Sequence, residues 1–156
     1  PEQVEVALWY HDAIYDTQSQ IKDNEEMSAE LAERRLKEAG LGPKFIESVT
    51  SLILATKHQT IPKKTDKQCL VDIDLSILGR PEKEFDEYER DIREEYAWVS
   101  DEQFRQGRSA ILQKFLDRNS VYVTDFFRQR YEQQARMNLE RSLAKHGNIE
   151  VSKIPL

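Results

Sequence analysis

Apolar residues recur every three to four positions along almost the whole chain, and runs in which apolar and polar residues alternate are nearly absent. A 3.6-residue period puts such residues on one helix face, whereas a half-buried strand needs a period of two. The chain is therefore expected to fold as an all-α protein, a compact multi-helix domain. At 156 residues the prior is one domain, since roughly two-thirds of the unfolded surface of a chain this long can be buried. Neither a repeat nor a low-complexity linker divides it, so residues 1–156 are read as a single domain.

Punctuation residues set the expected helices. Pro1 suits the first turn of a helix running to about Tyr15. Asp23 and Glu26 fit a capping box, followed by Ala29, Ala32, Leu36 and Ala39, with Gly40 as terminator. Pro43 opens a helix carrying Ile46, Val49 and Ile53 toward His58. TIPKKTDK reads as an exposed cationic loop, after which Asp66 caps a helix bearing CLVDIDLSILG that ends at Gly79 and Pro81. Phe85, Tyr88, Ile92 and Tyr96 mark the next helix. Ser100 with Gln103 is a second capping box, leading to Phe104, Ile111, Phe115 and Leu116. The period fails around Val121, where a short extended link is expected. A long helix from Thr124 uses Phe127, Tyr131, Ala135 and Leu139, and GNIEVSKIPL leaves as a tail.

Composition narrows the function classes. A hydrophobic fraction of 38% with 33% charged residues describes a solvated globular chain, well clear of the disordered class. No apolar run approaches the ~18 residues of a bilayer crossing, and PEQVEVALWY lacks a signal-peptide pattern, so cytoplasmic residence is the expectation. Cys69 is the single cysteine, which excludes an internal disulfide and multi-cysteine metal sites and makes it a small core residue. Lys plus Arg number 23 against 29 Asp plus Glu, and the net charge of −6 argues against broad nucleic-acid binding. A locally cationic site for a small phosphate ester remains compatible with it.

Three histidines, His11, His58 and His146, carry the remaining options. None has a glutamate three residues before it, there is no HExxH, and GLGP lacks the further glycines and lysine of a phosphate loop. His11-Asp12, inside ALWYHDAIYD, places an imidazole and a carboxylate in an apolar run. At ~100° per residue His11 shares an arc with Val4, Ala7, Ile14 and Tyr15, and Asp12 lies at its edge. This suits flanking a ligand such as a metal better than bonding each other. The alternative is a core histidine bonded to a backbone carbonyl beside a solvated aspartate. In LVDIDLSIL, Asp72 and Asp74 are ~200° apart on a helix. Asp74 falls on the apolar face with Leu70, Ile73, Ile77 and Leu78, and Asp72 on the polar side. A carboxylate at Asp74 needs a cation. Imidazole plus carboxylate ligands suit manganese, iron, cobalt, nickel or zinc.

WYHDAIYD, NEEMSAELA, ATKH, VDIDLSILG and QARMNL, in that order, resemble the HD-domain superfamily of metal-dependent phosphohydrolases, and an uncharacterised bacterial branch of it in particular. The similarity spans most of the chain. It implies a helical fold in which His11, Asp12 and Asp74 bind a divalent transition metal, and hydrolysis of a small phosphorylated metabolite or nucleotide by metal-activated water. The superfamily's first histidine belongs on a helix before the doublet, so an upstream helix carrying it is expected before Pro1. His58 is the candidate for phosphate binding, proton donation or a second metal, or else a helix C-cap. Glu25 and Glu26 are candidate general bases or first-turn acids that offset a helix dipole. Lys57, Lys63, Lys64, Arg93 and Arg108 are the cations available to a phosphate, each equally readable as solvated charge. His146 is accounted for by C-capping. The competing expectations are a non-catalytic helical binding module with a degenerate metal site, and a di-iron HD-type oxygenase.

Overall fold

The computed structural model describes residues 1–18 and 23–147. Among these residues there are seven α-helices, two short 3-10 helices and no strand, so the chain is all-α. None of these helices is long and apolar enough to cross a membrane. The described residues pack as two compact units that divide between Asp74 and Leu75. The division falls inside VDIDLSILG, where no Pro, Gly or Ser-rich stretch marks it.

The first unit contains α1 (Glu2–Tyr10), α2 (Asn24–Glu38), α3 (Pro43–Ile53) with a 3-10 extension over Leu54–Lys57, and α4 (Thr65–Asp74). Its core is Ala7, Ala29, Ala32, Leu36, Ile46, Val49, Leu52, Ile53 and Leu70. Ala29, Ala32 and Leu36 of α2 and the stripe of α3 thus face inward as their spacing requires, whereas Ala39, the C-cap of α2, is exposed. At the end of α2 the backbone N–H groups of Gly40 and Leu41 donate to the carbonyls of Lys37 and Leu36, both at 3.0 Å. This is a Schellman closure, and Gly40 takes the left-handed φ of +76° that it needs. Pro43 occupies the first turn of α3.

The second unit begins with a 3-10 helix over Leu75–Gly79 and continues through α5 (Glu82–Glu95), α6 (Asp101–Leu116) and α7 (Asp125–Gly147). Leu75, Leu78, Phe85, Leu112, Val121, Tyr122, Ala135 and Leu139 form its core. Ser100 and Gln103 close the capping box at the start of α6. Asn138, 1% exposed, donates to the carbonyls of Leu78 and Arg80 at 2.9 and 2.8 Å, satisfying acceptors at the end of the 3-10 helix.

Five local expectations are corrected. Helix α1 stops at Tyr10 instead of Tyr15, because both backbone groups of Ile14 are taken by Ser28: its N–H donates to Oγ at 3.0 Å and its carbonyl accepts from the hydroxyl at 3.2 Å. Asp23 is the N-cap of α2, yet no side-chain cap bond forms, since Asp23 and Glu26 both turn to Lys57. The 117–124 segment is a series of turns and bends, not an extended link. The Glu132 carboxylate there collects the N–H groups of Val121 and Tyr122. The last three residues of TIPKKTDK already belong to α4. Cys69 is half-buried, so it is not a core residue. The expected tail after Gly147 lies outside the described residues.

Candidate metal centre

The first unit brings His11, Asp12 and Asp74 together, each offering one ligand atom within 4.8 Å of the others. His11 is the C-cap of α1, still helical at φ −58°, with its N–H on the Ala7 carbonyl. Asp12 follows in the turn fixed by Ser28, a fully buried hydroxyl. Asp74 ends α4.

The imidazole is held asymmetrically. Nδ1–H donates to the Leu8 carbonyl at 2.8 Å, which requires the proton on that nitrogen. Nε2 faces Asp12 Oδ2 at 3.2 Å and Asp74 Oδ1 at 3.3 Å. A neutral ring in this pose would aim its lone pair at two carboxylates. Attraction requires a positive charge at that position, either a second proton or a metal cation. With the proton, the Asp12 and then the Asp74 hydrogen bonds raise the His11 pKa from 6.5 to about 10. For Asp74 burial pushes the carboxyl up, but the hydrogen bonds from His11 and His58 outweigh it and hold the group below its ordinary 3.8.

The donor set fits a metal. One imidazole nitrogen and two carboxylate oxygens are the donor types of a borderline divalent ion, and their mutual separation of within 4.8 Å is close to the span of about 4.4 Å that ligands about 2.0–2.2 Å from one ion allow. The Nδ1–carbonyl bond is the kind of outer-sphere contact that fixes a ligating histidine's tautomer. The side-chain contact between His11 and Asp12 corrects the expectation that the pair diverge, and the helix end supplies the reason: Asp12 leaves the α-helical path. Both bland elements of the alternative are met in part, since His11 does bond a carbonyl and Asp12 is mostly exposed.

The other oxygen of Asp74 is engaged as well. His58 Nε2–H donates to Oδ2 at 2.7 Å. His58 caps the 3-10 extension of α3 in the left-handed conformation, φ 52°. Beside it, Lys57 Nζ donates to Asp23 Oδ2 and Glu26 Oε1, each at 2.7 Å. These two carboxylates, Asp23 first, raise the lysine pKa. Glu26 is therefore tied up by Lys57, which it shares with Asp23. Glu25, half-buried in the first turn of α2, pairs with nothing among the described residues and is not part of the metal-binding group.

Arg93 and Arg108 belong to the second unit and are already engaged. Arg108, 8% exposed, is paired through Nε and Nη2 with Glu89, which also accepts from Ser142 at 2.7 Å. Arg93 donates to the Tyr96 carbonyl and to Asp101, both at 2.7 Å, tying the α5–α6 connection. His146 lies in the last turn of α7 with its ring edge against Phe104. Asp72, placed on the polar side by the helical wheel, is instead fully buried. α4 ends two residues later and gives way to a 3-10 helix, so the uninterrupted α-helical wheel that put Asp72 on the polar side does not hold here.

Ser28 is the positioning residue that sequence reasoning passed over. Its only trace is a small hydroxyl next to the Ala29–Ala32 stripe. Compared with known proteins, the chain matches no family model, no curated sequence and no solved structure.

Proposed function

We propose that this chain is a metal-dependent phosphohydrolase of HD-domain type that acts on a small phosphorylated metabolite or nucleotide. The observation that carries the reading is the His11 ring, locked through Nδ1 so that Nε2 meets two carboxylates where only a cation is favourable. The ordered motifs that resemble the HD-domain superfamily support it. His11, Asp12 and Asp74 would hold a divalent transition-metal ion, which supplies Lewis acidity toward a phosphoryl oxygen and lowers the pKa of water.

The chain's own groups have separable tasks. The Leu8 carbonyl keeps the His11 lone pair at Nε2. His58 steadies Asp74 and carries a proton at Nε2, the group assigned to protonate a leaving oxygen. Lys57 occupies Glu26, and Glu25, which has no partner among the described residues, is the carboxylate assigned as a base.

A non-catalytic binding module is the second reading, favoured because a protonated His11 satisfies both carboxylates without an ion. Elemental analysis after metal-supplemented purification separates the two. The enzyme reading expects about one equivalent of transition metal, lost in Asp74→Asn and kept in Asp72→Asn, together with phosphatase turnover that follows the metal. Absence of metal from the unaltered chain favours the module, and equal loss in both variants refutes the assignment of Asp74.

A further inference from the structure

The 60–67 segment forms one side of a cavity of about 580 Å³ whose wall includes Lys57, Lys63, Lys64 and Lys67 and contains no acidic residue. In a chain of net charge −6, four lysines around one concavity with no carboxylate among its lining residues is a local inversion of sign. Lys57 is committed to Asp23 and Glu26. The ammonium groups of Lys63, Lys64 and Lys67 make no ion pair or hydrogen bond among the described residues.

Their placement is fixed by the local fold. Lys63 and Lys64 immediately precede α4, the Lys64 carbonyl accepts from the Gln68 N–H at 2.9 Å, and Lys67 lies in the first turn of that helix, so all three stand on one wall of the cavity. Like charges gathered on one wall repel, and an anion in the cavity relieves the repulsion. The loop is anchored: Gln68 Nε2–H donates to the Pro62 carbonyl at 2.9 Å. The same cavity has an apolar side in Leu54 and Ile61, which are 42% and 65% exposed. Its volume falls within the range of small-molecule sites. Lys57, part of the wall, directly precedes the His58 that holds Asp74.

We propose that this pocket binds the polyphosphate part of a small organic phosphate, with Lys63, Lys64 and Lys67 on the phosphate oxygens and Leu54 and Ile61 against the ligand's apolar part. The ligand class is then a compound with two or more linked phosphoryl groups, whose charge of about −3 near neutrality matches the three ammonium groups that have no partner among the described residues. The phosphate chemistry of this assignment rests on the phosphohydrolase reading, but the binding itself does not require a metal.

The test is calorimetric titration of inorganic pyrophosphate into the full chain in EDTA, with Lys63→Gln/Lys64→Gln and Lys67→Gln as variants, the exposed α6 residue in Lys114→Gln as a surface control, and circular dichroism as the folding control. Saturable binding is expected, weakened about tenfold by Lys67→Gln and more by the double variant, retained in Lys67→Arg and unchanged in Lys114→Gln. Pyrophosphate binding without metal or hydrolysis in any preparation upholds the pocket and removes the enzyme reading. No binding in EDTA, or binding that the lysine variants leave unchanged, overturns the proposal. So does lysine-dependent retention on phosphatidylglycerol vesicles without saturable pyrophosphate binding, which would assign the lysines to a lipid surface.

Discussion

At His11 one nitrogen is committed to a carbonyl and the other to two carboxylates, and this arrangement fixes how the metal-free site responds to pH. The folded pKa of His11 is raised, so its contribution to stability is complete below 6.5 and is lost as pH rises through about 10. Asp74 is shifted down, so its contribution is present above 3.8 and is lost as pH falls through the lowered value. In EDTA, the urea midpoint of the unaltered chain should exceed that of His11→Gln clearly at pH 6 and converge with it near pH 10. A gap of equal size at both values would show that protonated His11 is not what binds the carboxylates. His58 makes an opposing pair of demands. Its left-handed backbone costs roughly 1 kcal/mol and favours glycine, which would forfeit the ring hydrogen bond to Asp74. Position 58 is thus chosen for chemistry over conformation. The sequence made His11, Asp12 and Asp74 legible because polar groups in apolar runs need partners. Ser28 and the buried state of Asp72 were hidden, since a hydroxyl near an alanine stripe carries no charge anomaly and the wheel assumed an uninterrupted helix.

Helix ends decide much at the next scale, and three glycines give opposite expectations from one residue type. Gly40 has φ +76°, Gly79 would place a Cβ 2.6 Å from Tyr131 Cβ and 2.7 Å from the Tyr122 hydroxyl, and Gly107 has open space in the middle of α6. Alanine at position 107 should therefore stabilise the chain by about 0.5–1 kcal/mol through the lost freedom of the unfolded backbone. Alanine at 40 should cost about 1–2 kcal/mol, and at 79 about 1–3 kcal/mol or more through overpacking. Chemical denaturation of the three variants checks the order, and a destabilising Gly107→Ala would contradict it. The element order was readable because Gly40, Pro43 and the Ser100–Gln103 box mark boundaries by local chemistry alone. The boundaries that failed, at Tyr15 and at Asp23, are those where a tertiary partner, Ser28 or Lys57, competes for the group that local rules assign elsewhere.

For the whole molecule, a ligand that binds only the folded state raises stability by mass action. A transition metal at a hundred times its Kd should add ~2.7 kcal/mol, a rise in thermal midpoint of roughly 5–10 °C. Asp74→Asn should abolish the rise, and an unmoved midpoint in the unaltered chain would count against a metal centre. The all-α class was legible from periodicity, but the division between Asp74 and Leu75 was not, because an apolar helical run looks the same whether its residues serve one core or two. That division gives the cluster a further meaning. His11 closes the first helix of its unit and Asp74 is the last residue of its fourth, so nearly the entire unit lies in the loop between them. Closing so long a loop removes much of the freedom of the unfolded chain. The contact that shapes the site is also the clasp that joins the unit's beginning to its end.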